Sequence, residues 1–251
     1  MDIHAVVVDD NSASARAIAR LLEQATCRVT VCTDPESAIA IALEAGVDMV
    51  SLDITMPRLD GFEVLSLIRS HEHSRRAPSV PVIAITGSTS SEDKAHALAS
   101  GFAAHLGKPV ALRDLKLVLG RVQTLRGDLY RTRYTVDQEA IAGRLVHLLS
   151  SAASEVSPAV AGLALAMEQQ GTELLRRMLV SAYAHDFEAA AEAATRLADV
   201  GEALGAGHFA SLCASFVASL GADSPRFERQ AVLVRAELDR IVYTLRERVL
   251  P

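Results

Sequence analysis

The chain has no tryptophan, and aromatic residues fill only 4% of its 251 positions. Alanine supplies much of the 50% apolar share instead, a composition that favours helices. Cysteine is scarce: there are three, at 27, 32 and 213, an odd number without metal-ligand spacing. They offer no disulfide framework and read as small buried or half-buried residues of a reducing cytosol. No apolar run reaches the ~18 residues that a membrane-spanning helix needs. The opening Met-Asp-Ile-His lacks the basic-then-apolar order of a secretory signal, so a cytoplasmic location is expected. Positive charge is in deficit, with 25 Lys and Arg against 31 Asp and Glu and a net charge of −6. That balance argues against a general nucleic-acid binder. The length admits one large domain or two small ones.

What is present is a regular alternation in the first half. Ile3 to Val8 is β-rich and ends in Asp9-Asp10, and Asn11 or Ser12 caps a helix through Ile18, Leu21 and Leu22. Arg28 to Val31 is a weaker strand. Asp34-Pro35 opens a second helix, with Gly46 at its stop. Asp48 to Leu52 is a third strand running into Asp53. Met56-Pro57 breaks it, and Asp60-Gly61 opens a helix with Phe62, Leu65 and Ile68 on one face. Pro81 to Ile85 precedes Thr86-Gly87-Ser88. A helix begins at Ser91 and stops at Gly101. Phe102 to Leu106 is a short fifth strand before Gly107-Lys108-Pro109, and Leu112 to about Leu125 is a fifth helix. Five apolar strands alternating with five helices predict an α/β fold, a five-stranded parallel, doubly wound (flavodoxin-like) sheet with helices on both faces.

Asp9, Asp10, Asp53, Thr86 and Lys108 all fall at carboxyl ends of strands, which share one edge in this fold, where ligands bind. Three clustered carboxylates call for a neutralising cation. All-oxygen ligation completed by water suits Mg²⁺ or Mn²⁺. Lys108 offers fixed positive charge for phosphate oxygens and Thr86 a short hydroxyl donor, so Asp53 reads as a nucleophile that becomes an acyl phosphate.

With Asp9-Asp10, Asp53 followed by Met56-Pro57 and Asp60-Gly61, Thr86 before a small residue, and Lys108-Pro109, residues 1 to about 125 resemble a response-regulator receiver domain. The resemblance implies that Asp53 accepts phosphate from a phosphohistidine on a histidine kinase or phosphotransfer protein. It implies that Asp10 ligates Mg²⁺ directly, Asp9 often through water, and that the Thr55 carbonyl completes the protein ligands. It implies a cis peptide between Lys108 and Pro109, and a switch in which Thr86 moves inward and the fourth helix, fifth strand and fifth helix repack. The switch aromatic of the family is His105 here, an imidazole that titrates near neutrality, so a conventional and a pH-sensitive switch both stay open.

The second half is patterned as helix only. Residues 126–135 read as a linker, and the Arg cluster at 121, 126, 131 and 133 as a solvated face. A helical bundle is expected over 136–251, with five or six helices near 136–151, 158–169, 172–184, 186–203, 206–220 and 225–248. Gly171, Gly205 and Gly221 read as stops or breaks. Phe227, Ala231, Val234, Leu238, Ile241 and Leu245 form one apolar seam, which fits a bundle or a two-fold dimer. Leu197, Gly201, Leu204, Gly205 and Ala206 resemble a histidine-phosphotransfer (HPt) bundle. Thr195 stands where the phosphorylated histidine of that family belongs, with Ala198 and Asp199 beside it, so the resemblance implies a relative that binds without transferring. His147 reads as an ordinary helix residue, and His71 and His73 make a weak metal pair.

The sequence therefore implies a two-component response regulator. Its partners would be a histidine kinase or phosphotransfer protein, a downstream protein target and, for the seam, a second copy. It would have no separate enzymatic output domain and no nucleic-acid or membrane partner. A phosphorelay intermediate with a working histidine and a DNA-binding regulator are the alternatives.

Overall fold

The computed structural model describes residues 3–44, 46–74, 79–131, 158–221 and 224–248. The chain divides into two compact units, Met1–Arg131 and Thr132–Pro251.

The first unit alternates β1 (Ile3–Val8), α1 (Ser12–Gln24), β2 (Cys27–Cys32), α2 (Pro35–Ala42), β3 (Met49–Asp53), α3 (Gly61–Ser74), β4 (Val82–Thr86), α4 (Ser91–Ser100), β5 (Ala104–Gly107) and α5 (Leu112–Arg131). The strands form one parallel sheet in the order β2-β1-β3-β4-β5. β1, β3 and β4 are inner strands and buried at every position. That is why they read as unbroken apolar runs, whereas β2, at the edge, is buried only at its two ends. One core cluster packs Val6, Val8, Leu52 and Val82 against Val64, Leu65 and Ile68 of α3 and against Phe102. Each such side chain stabilises the fold by roughly 1.5–3 kcal/mol on full burial.

Local chemistry sets the helix starts. Asn11, not Ser12, caps α1, its side-chain oxygen accepting from Ala13 N–H at 3.0 Å and Ser14 N–H at 3.1 Å. Asp34 caps α2 ahead of Pro35. Asp60 and Glu63 bond each other's backbone N–H at 2.8 Å, a reciprocal box that starts α3. At the amino edge of the sheet, Arg69 donates to Glu72 at 2.8 Å and to the carbonyls of Val80 at 3.0 Å and Gly101 at 3.2 Å. Glu72 accepts from Val80 N–H at 2.7 Å, so the pair ties α3 to the entry of β4 and the exit of α4. α5 continues to Arg131, through the Arg126-Gly127 stretch expected to be linker. A single glycine inside a helix costs ~1 kcal/mol and does not by itself end it.

The second unit contains α6 (Pro158–Tyr183), α7 (Phe187–Ala203), α8 (Gly207–Val217) and α9 (Ser224–Arg248). The expected helix at 136–151, with His147, lies outside the described residues. The expected break at Gly171 is absent, and α6 runs through it. Gly171 serves close packing instead: a Cβ there would sit 2.9 Å from Leu238 Cδ1 of α9. Gly205 (φ +85°) and Gly221 (φ +77°) do follow helix ends, in the left-handed region that glycine enters without steric cost. The α9 seam is buried at all six positions, and α9 packs on both α6 and α8. It is therefore a seam within the bundle. Cys27, Cys32 and Cys213 are buried and not in disulfides, and burial pushes the Cys213 thiol up to about 12. Among the described residues, no helix is long and apolar enough to cross a membrane.

Candidate functional site

The strand order reverses between β1 and β3, and the carboxyl ends of these two strands deliver the carboxylates. Asp9 follows β1 and is fully buried; Asp53 ends β3 and is 5% exposed; Asp10 is exposed. One carboxylate oxygen from each lies within 4.8 Å of the others. Repulsion among them is met from inside the protein. The Lys108 ammonium, carried just past β5, donates to Asp53 Oδ2 at 2.7 Å and to Asp9 Oδ2 at 2.9 Å. Burial pulls the Lys108 pKa down, but the hydrogen bonds and charges of Asp53 and Asp9 outweigh it, and the net direction is up. Lys108 is thus a fixed cation.

Asp9 carries two further donors. Asn11 N–H reaches its Oδ1 at 2.9 Å, and the Ser14 hydroxyl reaches Oδ2 at 2.5 Å. Asp53 Oδ1 accepts from Thr55 N–H at 3.2 Å. Gly61 fits against the backbone of the acidic residue: a Cβ there would lie 2.5 Å from the Asp53 carbonyl oxygen and 2.8 Å from Ile54 Cα. The Asp60-Gly61 pair therefore does more than open a helix.

The remaining expected residues of this unit are Thr86, His105 and the Lys108–Pro109 peptide. Thr86 is buried at the end of β4; its hydroxyl accepts from Ser88 N–H at 3.2 Å and its carbonyl from Lys108 N–H at 2.6 Å. The Lys108–Pro109 peptide is cis. His105 is buried on β5, opposite Ala84. The Asp93 carboxyl is lowered first by the Ser88 and Ser90 hydroxyls, then by the charges of His105 and His96. Thr195 is exposed on α7, in the other unit, its hydroxyl donating to the Ala191 carbonyl at 2.9 Å. Ser14 went unnoticed in the sequence. Its one signal is its place in the first turn of the helix that starts just after Asp9.

The donors fit a hard divalent cation. Asp9, Asp10 and Asp53 offer oxygen only, and the exposure of Asp10 leaves room for water to complete a shell. The set is typical of the Mg²⁺ site of receiver domains.

Residues 5–119 match the family model for the response regulator receiver domain. Among curated proteins, this chain is similar to Transcription factor SKN7 of Candida albicans, 33% identical over 118 residues, 47% of this chain and 20% of that protein. It is also 33% identical over 116 residues to Signal transduction histidine-protein kinase BarA of Shigella flexneri, covering 46% of this chain and 12% of that one. The chain thus spans about a fifth or less of the length of these curated relatives. Among solved structures it is similar to the receiver domain of the Francisella response regulator 1452, with 27% identity, 49% of this chain and 98% of that one covered, and a TM-score of 0.44. It is similar too to the co-crystal structure of the Saccharomyces cerevisiae histidine phosphotransfer signaling protein Ypd1 with the receiver domain of Ssk1, with 30% identity, 45% and 83% covered, and a TM-score of 0.42. Residues 5–119, which carry the acidic pocket of Asp9, Asp10 and Asp53, thus match the response regulator receiver domain, and a C-terminal helical region follows them.

Proposed function

We propose that Asp53 is the phosphoacceptor of a response regulator whose helical region acts by protein–protein contact. An Asp53 carboxylate oxygen attacks the phosphorus of a phosphohistidine on a histidine kinase or phosphotransfer protein. The new bond is P–O; the P–N bond breaks, its electron pair returns to the imidazole, and the imidazole takes a proton from solvent. Lys108 neutralises phosphoryl oxygens as charge gathers on them. Asp10 and Asp9, with the Thr55 carbonyl, would hold Mg²⁺, which when bound supplies further charge neutralisation at the phosphoryl group. The Thr86 hydroxyl is the donor that turns to the phosphorylated side chain, and His105 is the ring that follows it. The result is a population shift on the face formed by α4, β5 and α5. The similarity to Signal transduction histidine-protein kinase BarA supports a phosphohistidine donor. In the helical region, Thr195 in place of the phosphotransfer histidine favours a binding role over onward transfer. The domain promotes its own phosphoryl transfer and hydrolysis, without a separate enzymatic output.

The observation that carries this reading is the single ammonium of Lys108 shared between Asp53 and Asp9 beside Asp10. The test is intact-mass measurement after a small-molecule phosphodonor and Mg²⁺. One phosphate is expected on the wild type and none on Asp53→Asn. A wild type that gains nothing, or a variant that gains as much, sinks the reading.

A further inference from the structure

Three donors converge on the Asp9 carboxylate, and one of them has no place in the reading above. Asn11 supplies a backbone N–H, and Lys108 is shared with Asp53. The third is the hydroxyl of half-buried Ser14, 2.5 Å from Oδ2, the same oxygen that takes the Lys108 ammonium at 2.9 Å. A distance of 2.5 Å is at the short, strong end for a hydroxyl on an ionised carboxylate. Asp9 has no solvent contact, so its oxygens are held by protein donors.

The placement is built by the fold. Asn11 caps α1 and so fixes the first turn, which carries Ser14 back over the end of β1. Three donors share two oxygens: Oδ1 takes the Asn11 N–H, and Oδ2 takes both Ser14 and Lys108. With Ser14 present, Oδ2 has a donor besides the ammonium, and Lys108 is left able to serve Asp53. Without it, Oδ2 keeps only the ammonium, and the Asp9 carboxylate loses one of the three contacts that hold it.

Resting on the phosphoacceptor reading for its purpose, we infer that Ser14 is a positioning residue of the phosphoryl-transfer pocket. Its hydroxyl orients Asp9 for a divalent cation and keeps Lys108 divided between Asp9 and Asp53. The group acts through Asp9 and Lys108 and does not touch the phosphoryl group.

The test uses the full chain and Mn²⁺ as the probe, titrated by electron paramagnetic resonance without any phosphodonor. Ser14→Ala is expected to weaken Mn²⁺ binding about ten-fold, the effect of losing one charge-assisted hydrogen bond in a buried site. Ser14→Thr, which keeps the hydroxyl, is expected to bind within about two-fold of wild type by the same argument. Mn²⁺ affinity unchanged in Ser14→Ala overturns the inference. So does a Ser14→Thr variant as weak as Ser14→Ala while both unfold at the wild-type temperature. Since the titration needs no phosphate transfer, it fails separately from the phosphodonor experiment.

Discussion

At the scale of single residues, the site is a problem of charge. Asp9 is sealed from water and Asp53 nearly so, and Asp10 adds a third negative group close by. Buried carboxylates in that number are tolerated only when donors account for them. Lys108, Asn11, Ser14 and Thr55 are those donors. The acids and the lysine were legible in the sequence because each ends an apolar strand, a position that a linear reading can recognise. Ser14 was not, because a serine in the first turn of a helix has the same appearance whether it faces solvent or a buried acid. A second residue-level feature is the Asp34 cap. Its carboxyl is held below the usual range, first by the Ser37 hydroxyl, then by Ser37 N–H, with Arg58 adding to it. A lowered folded-state value means that its contribution is present above the ordinary carboxylate range and disappears as pH falls through the lowered value. Asp34→Ala is therefore expected to melt below the wild type at neutral pH, with the gap closing in acid. Melting curves from pH 7 downward check this; a gap that stays constant refutes it.

Among whole elements, glycine divides the correct expectations from the wrong one. Gly205 and Gly221 sit after helix ends with positive φ, as glycines after a helical run are expected to do. Gly171 looks the same in sequence but lies inside α6, where it lets Leu238 approach. Only the partner helix separates the two roles, and that partner is more than sixty positions away in the chain. The α9 seam had the same ambiguity, and its burial by α6 and α8 resolved it. Gly201 gives the sharper test of close packing. A Cβ there would meet the ring of fully buried Phe209 at 2.6 Å. A ring in a packed core cannot swing away as a leucine methyl can. Gly201→Ala is expected to lose about 1–3 kcal/mol by overpacking, despite alanine's better helix propensity. Chemical denaturation of the full chain measures it; an unchanged or raised midpoint contradicts the account.

For the molecule as a whole, the strand-and-helix alternation of the first unit was readable because inner parallel strands are continuous apolar runs. The order of the strands follows from their pairing across the sheet, which no local pattern states. The two units are compact in their own right, and every residue of the acidic pocket belongs to Met1–Arg131. A fragment ending at Arg131 is expected to fold and to take one phosphate at Asp53 with the Mg²⁺ requirement of the full chain. Intact-mass and circular-dichroism measurements test this, and a folded fragment that stays unmodified would mean that the helical region supplies something to the reaction. The fit of Gly61 against Asp53 bears on what happens next. Toward α3 the backbone has no slack, since even one carbon at Gly61 would collide with the Asp53 carbonyl. On the β4 side, Gly87 has open space beside it, with nothing within 4 Å of where a side chain would begin. Under the proposed phosphorylation of Asp53, a backbone shift would meet a tight stop at Gly61 and free space at Gly87.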